Sequence, residues 1–417
     1  MNDVTGTRDA LDFAEPLLDF PFPAGRGASL CPEYARPLRE QPLLPVVLAG
    51  GHRALLVTRH ADVRKVLSDD RFSREAWSNG TLFARDSSTL ALATSDPPGH
   101  TRRRRAVQSW FTAHRAQQDR PRIEAAAESL LDALVAQGPP ADLIAGFTTP
   151  LPYRFVCEQL GLPLVDLEWL LPHASVMMSA GRYGTEEIAA AQQSMRGYFT
   201  EHLAERKAAL QRGTPGSDLV SSLLIARGTA SAENRISDDE IIVLALGLFI
   251  AGGETTANHL AICVHEILAR PGLAGKLRDN PALIPSAVEE LLRWIWFIGT
   301  GGHIHVVVEE LELAGRTLPR GQIVIPLGDT ANRDPEVFDD PDVLRIDRDP
   351  NPHLGFGHGR HMCLGAPHAR AELQVGVEAV LRRLDGLALA VPEQELEWRD
   401  GMFIRGMWSL PVTWTEK

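Results

Sequence analysis

The stretch "HLGFGHGRHMCLGAPHARAEL", residues 353–373, sets a single cysteine, Cys363, between a glycine-studded loop and the start of a helical pattern. A thiol just ahead of a helix sits where backbone N–H groups and the helix dipole favour a thiolate, and Pro367 suits a first helical turn. Such a sulfur is a nucleophile, a metal ligand or a plain core thiol. A nucleophile needs a neighbouring base, for which His361 is the local candidate. A ligand needs the chain wrapped around the sulfur and a flat surface that glycine lets the backbone approach. Gly357, Gly359 and Gly365 favour the ligand.

Working outward, 417 residues with 44% hydrophobic content bury a large core, and the simplest organisation is one domain over residues 1–417. A formal charge of −12 argues against a nucleic-acid or anionic-membrane partner, each of which selects a basic surface. The opening MNDVTGTRDALDF lacks a basic segment followed by an apolar core, which predicts a cytoplasmic protein without leader or anchor. Cys31, Cys157, Cys263 and Cys363 are widely spaced, so reduced thiols are expected rather than a disulfide framework or a zinc site.

Residues 44–58 alternate loosely about Gly50 and Gly51 and predict a hairpin. Apolar spacing of three and four predicts helices over 120–137, 185–212, 237–269, 286–296 and 366–384, with short strands in 306–326 and 408–414. The expected fold is mainly α with small β-sheets, an α+β arrangement. The longest pattern opens on Ser237 and Glu240 in capping-box spacing. Its apolar run, Ile241 to Ala251, falls short of the roughly 20 residues a bilayer needs, so a buried helix is expected. Midway along lie Gly252, Gly253, Glu254 and Thr255. Two glycines inside a helix cost about 2 kcal/mol relative to alanine. They open either a groove for a small ligand, with Glu254 and Thr255 as a proton-relaying acid and alcohol, or a helix-packing contact with Glu254 in solvent.

Phe356, Gly359, Cys363 and Gly365 match the haem-binding signature of the cytochrome P-450 family, and Ala251 to Thr256 match its oxygen-binding helix. Glu290 and Arg293 resemble its buried ion pair, with Arg348 as third member, Ala331 to Pro335 the segment after it, and Asp96 to His100 with Arg104 the helix that holds a haem propionate. The resemblance runs over about residues 44–414, nearly the whole chain. It implies haem b (iron protoporphyrin IX) between the long central helix and the Cys-loop helix. The iron would be held by Cys363, with Gly252 leaving room for O2, and Glu254 and Thr255 delivering protons. Electrons would come from NAD(P)H through a ferredoxin reductase and a ferredoxin, and Arg102 to Arg105, the densest positive cluster, would offer that partner a docking face.

At the position where relatives carry an arginine for a propionate stands His305, which either binds that carboxylate beside His100, Arg104 and His361 or turns to the substrate. The family's pocket segments here hold Trp77, Phe83, Met178, Trp296, Phe297, His303 and Phe403, a lining for a medium-sized apolar or aromatic molecule, although core packing would also account for most of them. The implied function is a monooxygenase of secondary metabolism that hydroxylates or epoxidises its substrate. The alternatives are oxidative coupling or dehydrogenation, for instance on an aromatic cyclic dipeptide, and a non-catalytic haem sensor.

Overall fold

A computed structural model of the chain describes residues 17–22, 40–78, 92–299 and 301–415. Its strands, in chain order, are β1 (Leu18–Phe20), β2 (Leu43–Leu48), β3 (Arg53–Val57), β4 (Phe72–Ser73), β5 (Ala141–Asp142), β6 (His305–Val307), β7 (Leu311–Leu313), β8 (Arg316–Leu318), β9 (Ile323–Pro326), β10 (Ala388–Leu389) and β11 (Pro411–Thr413). Two compact units form, one from the residues up to Gly99 with Glu289–Cys363, the other from His100–Val288 with Leu364–Lys417.

The first unit is built on a mixed sheet ordered β1-β2-β3-β9-β6-β4. The expected hairpin is present: β2 and β3 pair antiparallel from Leu43 opposite Val57 to Val47 opposite Arg53, turning through Gly50 and Gly51 at φ 96° and 81°. Leu43, Leu55 and Val57 pack on one face with Val63, Val66 and Val324. Leu44, Val46, Leu48, Ala54 and Leu56 pack on the other with Phe20, Trp296 and Ile325. Burial on both faces is why the alternation of this segment is loose, since neither set of side chains must be polar. Each fully buried side chain of this kind contributes roughly 1.5–3 kcal/mol.

The Ile284–Trp294 helix carries an ionic node. Glu290 and Arg293, one turn apart, pair through two hydrogen bonds of 2.7 and 2.8 Å with no solvent exposure at either side chain. Arg348 reaches the same carboxylate at 3.1 Å, the Arg345 N–H at 2.8 Å and the Asn351 amide at 3.2 Å. Arg293 spends its remaining donors on the carbonyls of Asn332, Pro341 and Val343. Every charge is thus met, as a buried pair requires.

The second unit is helical, with one three-stranded sheet ordered β10-β11-β5. Its axis is the central helix Asp238–Leu268, whose 31 residues span about 46 Å. The predicted capping box is made: Glu240 N–H donates to Ser237 Oγ at 3.2 Å and Ser237 N–H to Glu240 Oε2 at 3.0 Å. Among the described residues this is the one helix long and apolar enough to cross a membrane. Its buried residues include Asn258, His259, His265 and Glu266, and helices Pro150–Leu160, Thr185–Gln211 and Ala366–Arg383 pack against it, which makes it a core helix. The Pro150–Leu160 helix escapes sequence periodicity because it is buried nearly all round, with only Arg154 and Glu158 between Leu151 and Leu160 reaching the surface.

Removing Glu290 would leave two buried guanidinium groups facing each other. Glu290→Ala is therefore expected to lower unfolding stability by about 3–5 kcal/mol, read as a shift of the urea midpoint, while Ala substitution of an exposed acid such as Glu336 shifts it little.

Candidate active site

The cysteine loop is held from both ends. Leu354 N–H donates to Asn332 Oδ1 at 2.6 Å, and Cys363 N–H closes the loop on Phe356 O at 2.8 Å. Between them, Gly357 N–H bonds to Leu354 O at 2.8 Å and Met362 N–H to Gly359 O at 3.0 Å. Arg360 pairs with Asp70. The glycines divide by task. Gly359, at φ 68°, lies against the His60–Ser68 helix, where a Cβ would collide with the Leu67 carbonyl. Gly357 and Gly365 face open space. After Gly365 the Ala366–Arg383 helix starts with Pro367 in its first turn, as its sequence predicts.

Cys363 is partly exposed, whereas Cys157 and Cys263 are buried. Burial pushes the Cys157 thiol up to about 12 and the Cys263 thiol well above its ordinary value, so both are inert as ligands. Among the described residues no three His, Cys, Asp or Glu side chains cluster to hold a metal ion. A lone thiolate donor suits a metal whose other ligands come with it.

In the second unit the two glycines of the central helix serve packing. A Cβ on Gly253 would collide with the ring of Tyr153, and one on Gly252 would crowd Val156 Cγ2 at 3.3 Å, both from the Pro150–Leu160 helix. Gly252 thus packs its bare Cα against that helix. Glu254, however, is buried and not in solvent. Its Oε2 accepts from Tyr153 Oη at 2.9 Å and its Oε1 from Arg399 Nη1 at 2.5 Å. Burial, and then Glu254, push the Tyr153 phenol well above its ordinary value and keep it a donor. Thr255 Oγ1 donates to Ala251 O at 2.5 Å. Glu372, also buried, hydrogen-bonds Thr256; burial holds its carboxyl well above the carboxylate range. Sequence reading missed Tyr153 and Arg399. Gly253, next to Glu254, is the sequence feature whose space the Tyr153 ring fills, and nothing near Glu254 in the sequence points to Arg399.

On the Gly99–Val107 helix His100 is buried and Arg104, one turn on, half-buried. Arg102 and Arg103 are not a free basic face: both pair with Glu240, and Arg102 also donates to Arg235 O at 2.9 Å. Only Arg105 of the four is exposed. Burial pushes the Glu240 carboxyl up, but Arg102, the Ser237 N–H and Arg103 outweigh it and bring it down to about 2.

His305 begins β6 and is buried. Its Nδ1 bonds His303 O at 2.9 Å, and its Nε2 accepts from Arg74 Nε at 3.1 Å. Burial, with Arg74 adding, pushes His305 well below the ordinary histidine value and His303 down to about 3. A neutral ring with both nitrogens engaged has no N–H left for a carboxylate, so the expected propionate contact of His305 is not supplied by the ring itself. The permanent cation at this spot is Arg74, which is buried and also donates to Ala93 O at 3.1 Å.

The pocket residues separate as well. Trp296 is buried in the sheet core, and Trp77 packs on the same cluster, with its ring 5.6 Å from that of His52. Phe297 is half-buried, its N–H held by Asp329 at 3.1 Å. Met178 and Phe403 come together, Phe403 N–H donating to Met178 O at 2.8 Å. Phe83 lies outside the described residues.

The family model described as Cytochrome P450 matches residues 170–394. The chain is 41% identical over 409 residues to the mycinamicin IV hydroxylase/epoxidase of Micromonospora griseorubida, covering 96% of this chain and 99% of that protein. It is 41% identical over 400 residues to the nocardicin C N-oxygenase of Nocardia uniformis subsp. tsuyamanensis, covering 95% and 98%. The crystal structure of HinD with NMFT and NO superposes with a TM-score of 0.88 at 39% identity, over 96% of this chain and all of that one. The chain belongs to the cytochrome P450 family. It is a P450 monooxygenase of the bacterial secondary-metabolite type, and haem-thiolate chemistry with O2 comes with that family. The residues present fit the group: one partly exposed thiol, in a closed loop, flanked by two glycines that face open space.

The depressed Glu240 value carries a consequence for acid stability. A group whose folded pKa lies below its unfolded one stabilises fully above the unfolded value, here about 4.5, and stops doing so as pH falls toward about 2. Glu266, which burial raises but His265 and Arg270 lower to about 2, acts in the same window. Glu240→Gln should therefore flatten part of the loss of urea midpoint on acidification through that window, leaving the Glu266 part.

Proposed function

We propose that Cys363 would supply the thiolate that holds the iron of haem b, that His100, Arg104 and His361 would bind its propionates, and that Phe356, Gly357, Gly359 and Gly365 shape the loop around the thiolate. What carries the reading is the partly exposed Cys363 in its closed, glycine-flanked loop, set beside two other described cysteines that are buried. When bound, haem supplies the iron centre at which O2 is reduced and one oxygen atom is transferred to substrate.

The chain's own residues handle protons and substrate. Thr255 keeps its hydroxyl hydrogen on the Ala251 carbonyl; turned from it, the hydroxyl becomes a donor on the central helix. Glu254, one residue earlier on the same helix and buried, is the acid that reloads that hydroxyl. Met178 and Phe403 form part of the wall for a medium-sized, apolar or aromatic substrate. NAD(P)H delivers electrons through a separate reductase and a ferredoxin in the cytoplasm. With Arg102 and Arg103 spent on Glu240, exposed Arg105 is the member of that basic run left to meet an acidic partner.

Cys363→His should abolish the red-shifted band of the reduced, carbon-monoxide-bound protein while its helical circular dichroism persists; an unchanged band would refute the ligand assignment. Thr255→Ala should retain haem and move electrons from product to peroxide, measured as peroxide formed per NAD(P)H consumed. Equal ratios in variant and parent would remove Thr255 from proton delivery.

A further inference from the structure

Glu254 is clamped by a residue about 145 positions away in the chain. Arg399 gives Nη1 to Glu254 Oε1 and, at 2.9 Å, to Asn258 Oδ1 one turn further along the central helix; its Nη2 goes to Ser175 Oγ at 2.9 Å. The guanidinium lies 4.7 Å from the centre of the Trp408 ring. Both members of the Glu254 pair are nearly buried, at 8% and 7% side-chain exposure, so the contact is shielded from solvent and its loss would be felt. Asn258 Nδ2 closes the arrangement on Glu254 O at 2.8 Å.

Arg399 stands at the base of a narrow loop. Trp398 bridges Met407, and Arg399 N–H donates to Gly406 O at 2.9 Å. A Cβ on Gly406 would collide with Asn258 Oδ1, so the loop touches the central helix at its backbone and has no slack there. The tip of the loop, Gly401 to Phe403, is stitched to the end of the Leu167–Met177 helix. Ala180 and Arg182 N–H donate to Gly401 O at 2.7 and 3.1 Å, Phe403 N–H donates to Met178 O at 2.8 Å, and Ser179 bridges Met402. One side chain therefore joins three things: the proposed proton-carrying carboxyl, the helix that ends at Met178, and the loop that presents Phe403.

We propose that Arg399 is a positioning residue that makes the availability of Glu254 depend on the Met178–Phe403 wall. With the wall at rest, both Glu254 oxygens are occupied, one by Arg399 and one by Tyr153, and the acid is held away from proton transfer. A substrate that shifts residues 175–180 and 401–404 pulls on Ser175 and on the loop, and through them on Arg399, which loosens the clamp and frees one oxygen of Glu254. Proton delivery is thereby restrained until the pocket is filled. The inference rests on the reading of Glu254 as the proton carrier.

The test uses holoenzyme driven by NAD(P)H through a surrogate reductase and ferredoxin with no substrate added. The consumption followed is the four-electron reaction that proton delivery permits when no substrate takes the oxygen atom, O2 + 2 NAD(P)H + 2 H⁺ → 2 H2O + 2 NAD(P)⁺, read as NAD(P)H consumed that is not recovered as peroxide. Arg399→Gln should raise this substrate-free rate about tenfold, a coupling of ordinary allosteric size, and Arg399→Lys should restore most of the restraint. Glu254→Gln placed on Arg399→Gln should return the rate toward that of the parent. Hydrogen exchange followed by mass spectrometry should show residues 175–182 and 399–407 exchanging faster together in Arg399→Gln, a readout independent of turnover. A rate unchanged in Arg399→Gln would overturn the proposal, as would an increase that persists in the double variant or exchange that rises in one segment alone. Glu254→Gln alone indistinguishable from the parent in rate, peroxide ratio and solvent isotope effect would instead overturn the proton-carrier reading.

Discussion

One carboxylate without solvent contact organises the first unit. Glu290 receives Arg293, Arg348, the Arg345 N–H and the Asn351 amide. Arg293 in turn holds Asn332 O, and Asn332 Oδ1 holds the N–H of Leu354, where the cysteine loop begins. A buried ion that lost one donor would be left with an uncompensated charge, so each donor is fixed by the others. The position of Cys363 is thus set by an electrostatic constraint some distance along the chain, and the loop's own hydrogen bonds only finish the job.

The second unit solves a related problem with the opposite purpose. Glu254 is also buried and also meets a guanidinium, but its donors come from two distant segments, Tyr153 from the Pro150–Leu160 helix and Arg399 from the loop that reaches Met178 at Phe403. Gly253 admits the Tyr153 ring and Gly406 admits the loop backbone, so side-chain volume removed at two places is what brings donors to one carboxylate.

Charge in this acidic protein is redistributed by folding. The arginine run at 102–105 is a cluster only in sequence, because Glu240, itself the capping residue of the central helix, takes up two of its members. At His305 the reverse holds: a residue that reads as a weak substitute for arginine is backed by a buried arginine, Arg74, contributed from just beyond the neighbouring edge strand β4.

Local physics made several features legible. The 2.0- and 3.6-residue periods, the Ser237 and Glu240 cap and the glycines at 50 and 51 each act within a few residues, so the hairpin and the helices at 185–211, 238–268, 284–294 and 366–383 follow from them. The glycine-dependent turn of the cysteine loop, with Gly357 and Gly359 at positive φ, was legible for the same reason. The helix Pro150–Leu160 was not, since burial of all but its Arg154 and Glu158 positions leaves little periodicity to read. Nor could sequence separate Trp296 in the core from Phe403 beside Met178, or give Glu254 its partners Tyr153 and Arg399. Spacing along the chain determines which residues share a helix face; which distant side chain fills the space beside a glycine, or neutralises a buried charge, is decided only when the packed elements meet.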